Sequence, residues 1–197
     1  MSIRFAVLLT LLSSAFLAAQ TPKEGTIVGE VWTKQNSPYI IVGDIFVQGL
    51  GLEIRQGVTV LYTGNFQFKV GGKLTAIGSE ADSIRFVKAD TISGWDGIFF
   101  DFSNTGSELA FCHIEGSLNS GLRIRNSTPI IRNCTITRNS ASQGGGINFI
   151  AGSNLFLNYC TISNNSVSRG SCSGSHYSPT TFSDCLTHLV AKKAAST

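Results

Sequence analysis

Short apolar runs separated by glycine, asparagine and serine recur along most of the chain. Tyr39-Ile40-Ile41-Val42-Gly43-Asp44-Ile45-Phe46-Val47 is followed by Leu52-Glu53-Ile54 and Val58-Thr59-Val60. Phe66-Gln67-Phe68-Lys69-Val70 alternates strictly and then turns at Gly71-Gly72. Leu74-Thr75-Ala76-Ile77 and Ile84-Arg85-Phe86 continue the series. Brief runs of this kind, bounded by turn residues, predict strand after strand. No amphipathic helix stands out beyond residue 19.

The second half repeats itself. Cys112-His113-Ile114, Cys134-Thr135-Ile136 and Cys160-Thr161-Ile162 lie 22 and 26 residues apart. An apolar residue sits three before each Cys: Leu109, Ile131 and Leu157. A weaker copy is centred on Cys185, with Phe182 three before it. Gly121-Leu122-Arg123-Ile124 and Gly146-Ile147-Asn148-Phe149 fall between the copies. Such a unit cannot bury its apolar face alone, so each repeat is expected to be one coil of a solenoid closed against its neighbours. Within a coil, Cys and Ile two positions on point to one side of a strand. The apolar residue at −3 breaks that alternation, so a tight bend must intervene. Asn133 and Asp184 fill the position before the Cys, and both types tolerate the left-handed conformation a bend needs. Asn158-Tyr159 occupies the same slot in the third copy.

These residues resemble right-handed parallel β-helix repeat proteins of the pectate-lyase-like superfold, a group of secreted bacterial proteins. Ser37–Ile45, Gly57–Val60, Gly72–Gly78, Ser83–Phe86 and Gly94–Ile98 resemble entry coils of such proteins, and the Cys-Thr-Ile repeats resemble later ones. The resemblance covers about residues 27–165. It implies an all-β right-handed parallel β-helix of about seven coils, with its N-terminal end capped near Val28–Trp32. Entry coils would occupy residues 20–100 and regular coils 101–187, with a degraded coil between Ser168 and Ser178. A patternless, frayed tail would follow at 188–197. The superfold hosts many activities, so it names no function by itself.

Residues 1–19 stand apart. Arg4 precedes the apolar run Phe5–Leu12, and Ser13–Ala19 ends in small residues, the layout of a secretory signal peptide cut after Ala19. The run is short for a membrane span. A secreted or cell-surface protein is expected, with no transmembrane segment in the mature chain.

Composition agrees. Ser, Gly, Thr and Asn make up 74 of the 197 residues, and only 14% are charged, against about a quarter in ordinary globular domains. That excludes a charged disordered tail and a coiled coil. Five Cys (112, 134, 160, 172 and 185) would permit disulfides in an exported protein. Equivalent Cys on stacked coils lie about 4.8 Å apart, too far for the Cβ separation of about 3.8 Å that a disulfide needs. Core filling by free thiols is the expectation. No CxxC or His pair suggests a metal, and no cofactor is expected.

Charge is split along the chain. Residues 20–115 carry 7 basic and 11 acidic residues, whereas residues 116–197 carry 7 basic and 1 acidic. Arg123 and Arg125 lie two apart on one strand and face outward if Leu122 and Ile124 face in. With Arg132 they form a candidate basic patch for an acidic polysaccharide or other surface glycan, because guanidinium forks suit carboxylates and sulfates. A solvated strand face is the plainer account of the same residues. Nucleic acid is not an expected partner, since the patch lacks interleaved aromatics. Lyases of the superfold use clustered Asp ligands and a basic residue, and here only Asp184 follows Glu115. The leading expectation is therefore a non-catalytic surface, adhesin-like or glycan-binding module. The alternative is a carbohydrate-active enzyme, a lyase or epimerase on acidic polysaccharide. Asn126-Ser127-Thr128, Asn133-Cys134-Thr135 and Asn164-Asn165-Ser166 match the glycosylation acceptor pattern but read more simply as turn and ladder residues.

Overall fold

Strand follows strand along a winding path. The computed structural model describes residues 20–103, 106–150, 153, 156–168 and 189–191. The signal-peptide expectation, the degraded coil after Ser168, Cys172 and Cys185 lie outside those residues.

The first turn holds β1 (Thr21–Ile27) and β2 (Glu30–Trp32), and the second holds β3 (Tyr39–Val47) and β4 (Leu52–Arg55). The third holds β5 (Thr59–Tyr62), β6 (Phe68–Val70) and β7 (Leu74–Ile77). The fourth holds β8 (Ile84–Lys88), β9 (Ile98–Asp101) and β10 (Glu108–Ala110). The fifth holds β11 (Cys112–Glu115), β12 (Leu122–Arg125) and β13 (Ile130–Arg132). The sixth holds β14 (Thr135–Thr137), β15 (Ser140–Ala141), β16 (Ile147–Ile150) and β17 (Phe156–Asn158). A further turn begins with β18 (Cys160–Ser163) and β19 (Ser166–Val167). The last described strand is β20 (Leu189–Ala191).

Three faces result. One is β3–β6–β9–β12–β16, the second is β3–β5–β8–β11–β14–β18, and the third is β2–β4–β7–β10–β13–β17. The first two are continuous because β3 bends between them: Tyr39–Ile41 pairs with β5 and Ile45–Val47 pairs with β6. All these pairings are parallel. The antiparallel one among the described residues joins β20 to the outer edge of β18, where the sequence pattern predicts no element. That edge offers unpaired backbone groups, which accept a strand whatever its side chains.

The alternation read from sequence sets the core. Ile41, Val60, Phe86, Ile114, Ile136 and Ile162 are buried in successive turns, as are Ile54, Ala76, Leu109 and Ile131 on the third face. Aromatic rings stack along the axis near the N-terminal end: Trp32 on Tyr39 at 4.6 Å, and Tyr62 on Trp95 at 4.0 Å. Cys112, Cys134 and Cys160 are free and buried in line. Each thiol lies 3.5 Å from a carbonyl of the turn before it, on Ala76, Leu109 and Ile131 respectively. Burial pushes the Cys134 thiol well up, and contact with Cys134 together with burial raises Cys160.

Corners obey one backbone rule. The residue before each ladder Cys is left-handed: Phe111 (φ 50°), Asn133 (φ 52°) and Tyr159 (φ 53°). The bend expected at Asn133 is thus present in all three turns. Beyond the second face a second column appears at Gly116, Arg138 and Asn164. Next to it runs an amide ladder, buried at Asn139 and half-buried at Asn165. The Asn139 side chain accepts from the Ser117 N–H at 2.9 Å and donates to the Ile114 carbonyl at 3.1 Å. Asn165 repeats this one turn on, accepting from the Asn139 N–H and donating to the Ile136 carbonyl, both at 2.9 Å. These amides satisfy corner backbone groups that no strand pairs with.

Candidate functional site

Outward side chains of the first face bring the charged residues together. Lys69 on β6, Phe99 on β9 and Arg123 on β12 stand opposite one another in register, and Asn148 on β16 extends the column. Asp101 and Arg125 face each other one pleat further along. The strand IFFD of β9 buries all four residues: Ile98 and Phe100 point into the core, while Phe99 and Asp101 are covered from outside.

Cations supply that cover. The Arg123 guanidinium lies 4.7 Å from the Phe99 ring centre, that of Arg125 5.2 Å, and the Lys69 ammonium 5.8 Å. A ring face attracts cations through its quadrupole, and guanidinium also stacks flat upon it. Phe99 is left 9% exposed.

Two carboxylates fix the cations from below. Asp101 accepts two bonds from Arg125, Nε to Oδ1 at 2.6 Å and an Nη2 bond to Oδ2 at 2.8 Å. Lys69 reaches Asp101 Oδ2 at 2.7 Å from the other side. Asp96 binds the Arg123 guanidinium through its side chain and, at 3.2 Å, through its backbone carbonyl. Asn119 and Gln67 donate to Asp96 at 2.9 and 3.3 Å. The hydrogen bonds from Arg125, helped by Lys69 and opposed by burial, hold the Asp101 carboxyl down at about 2.

The three arginines singled out from sequence therefore part company. Arg123 and Arg125 share one strand, one aromatic ring and two acidic partners. Arg132 sits on the third face, on β13, bound to Glu108 at 2.6 Å. A run of residues can show that side chains alternate, but not which of three faces a strand joins.

Sequence alone does not mark Lys69, Phe99, Asp101 and Asp96 as partners of these arginines. The signal was there: β9 and β12 pair with an offset of 24 residues, so Asp101 lies one coil before Arg125. At the edge of the face, Phe102 follows β9 with φ 51° and 65% of its surface exposed. Its ring centre is 5.8 Å from the Arg125 guanidinium. On the third face a shallow recess of about 280 Å³ is lined by Gly29, Val31, Leu50, Glu53 and Lys73, remote from this cluster. No group of three His, Cys, Asp or Glu side chains among the described residues could hold a metal ion. No helix among them is long and apolar enough to cross a membrane.

No curated protein and no solved structure matches the chain. Its sequence does match the family described as right handed beta helix region over residues 44–188, a span that begins within β3 and takes in β4 to β19. The chain belongs to the right-handed β-helix family.

Proposed function

We propose that the protein is an exported, non-catalytic β-helix module that holds an acidic glycan on the face built by β6, β9, β12 and β16. The observation that supports this reading is the pair of guanidiniums laid over Phe99. An ordinary surface arginine loses rotamer freedom when it binds, which weakens the complex. Arg123 and Arg125 have already lost it, pinned by Asp96 and Asp101. Each guanidinium has five N–H donors, more than these contacts use; Arg125, its side chain 41% exposed, presents its spare donors to solvent, whereas Arg123 is 13% exposed and its Nε is buried. Three cations surround the ring and two carboxylates answer them, so the cluster keeps positive charge for an anionic partner. The carboxylates are ill placed for catalysis. Asp101 titrates at about 2 and both its oxygens are engaged, so it is a poor base near neutral pH.

Retention on pectate and heparin columns at low salt tests the reading. The wild-type chain should be retained and should elute as salt rises. The Arg123→Ala/Arg125→Ala double variant, checked for its β spectrum by circular dichroism, should elute earlier. Equal retention of the two proteins overturns the proposal. So does release of unsaturated uronate from pectate or alginate in the presence of Ca²⁺, which would make the chain a lyase.

A further inference from the structure

Phe102 breaks a rule that the next turn obeys. Asp101 pairs with Arg125, so Phe102 and Asn126 occupy the same corner of successive turns. Both are left-handed, with φ 51° and 44°. Asn suits that conformation, whereas a bulky side chain there is strained. Burial does not offset the strain, because Phe102 is 65% exposed. Phe111 and Tyr159 share the conformation at another corner, in the column of Asn133. Phe102 differs in having a cation at its side. The Arg125 guanidinium is within reach of two rings, 5.2 Å from Phe99 and 5.8 Å from Phe102. The backbone reinforces the pairing, since the Phe102 N–H donates to the Arg125 carbonyl at 3.1 Å. Local rules that fail without a packing gain mark places kept for another purpose.

We infer that Phe102 and Arg125 form a subsite for one anionic pyranoside unit. The exposed ring of Phe102 takes the apolar C–H face of the sugar, and Arg125 takes its carboxylate or sulfate. This rests on the glycan-holding reading above and adds a requirement to it: the partner must present a sugar ring as well as charge. A plain polyanion meets only Arg125.

The test compares Phe102→Asn with wild type on two immobilised ligands, pectate and poly-glutamate. Asn is the residue the next turn uses, so this variant should fold and melt no lower than wild type. Its affinity for pectate should fall about fivefold, in line with the loss of one aromatic contact. Its affinity for poly-glutamate should stay within twofold. Phe102→Tyr, which keeps the ring, should retain pectate binding. Unchanged pectate binding by Phe102→Asn, or an equal loss on both ligands, overturns the subsite and leaves the glycan-holding face standing. A wild-type chain that binds no pectate overturns both.

Discussion

Asp101 and Arg125 meet in a two-pronged pair across adjacent turns, 24 residues apart in sequence, with the Asp101 side chain 5% exposed. Lys69 joins from the turn before, so one acid ties three consecutive turns together.

That geometry sets a pH dependence. The Asp101 carboxyl is lower in the fold, at about 2, than its ordinary 3.8. A group lowered on folding contributes stability above its unfolded value and loses it as pH falls towards the folded one. Between pH 5 and pH 2 the urea midpoint should drop, and Asp101→Asn should flatten part of that slope. The contribution is about 1 kcal/mol, because Lys69 and Arg125 are more than a third exposed and water screens them. Identical slopes for the two proteins would remove Asp101 from the account.

The amide ladder should matter more. Asn139→Ala leaves the Ser117 N–H and the Ile114 carbonyl buried without their partner. The expected loss is about 2–4 kcal/mol in urea unfolding. Asn126→Ala, at an exposed corner, should cost well under half of that.

Thiol chemistry checks the core. Thiolate is the reactive form, and Cys134 and Cys160 are both buried and raised. Iodoacetamide at pH 8 should leave Cys112, Cys134 and Cys160 unmodified in the native protein and alkylate all three in urea, as read by peptide mass spectrometry. A disulfide between any two of them would contradict the stacked arrangement.

Gly97 permits the approach of two turns beside the charged face. Its φ is 82°, and an added Cβ would overlap the Ser120 carbonyl oxygen in the next turn. Gly97→Ala should destabilise by about 2–4 kcal/mol, combining strain with a backbone clash. A melting temperature equal to that of wild type would show that the two turns can part without cost.

Much of the fold was legible because the solenoid writes its period into the chain. The Cys-x-Ile triplets mark in-register positions at β11, at the start of β14 and at β18, and the residue before each Cys marks a corner. The N-terminal turns were less plain, since β1 and β3 each run across two faces and hide a corner inside one strand. The site was half legible. The outward direction of Arg123 and Arg125 follows from alternation. Their neutralising partners do not, because Asp96 and Asp101 belong to an earlier coil and β9 buries both of its sides, which erases the alternation. Nearness in sequence groups Arg132 with the other two, while the fold sends it round a corner.

The parallel stacking has a metric consequence. Each turn advances the chain by one strand spacing, about 4.8 Å. The height of any outward side chain along the axis is therefore counted in whole turns, whatever the length of the corners between. Inserting or deleting one complete turn would shift the Phe99 cluster along the rod by that step and leave the cluster itself unaltered. The molecule is a ruler, and the cluster a mark on it that can be moved only in units of one graduation.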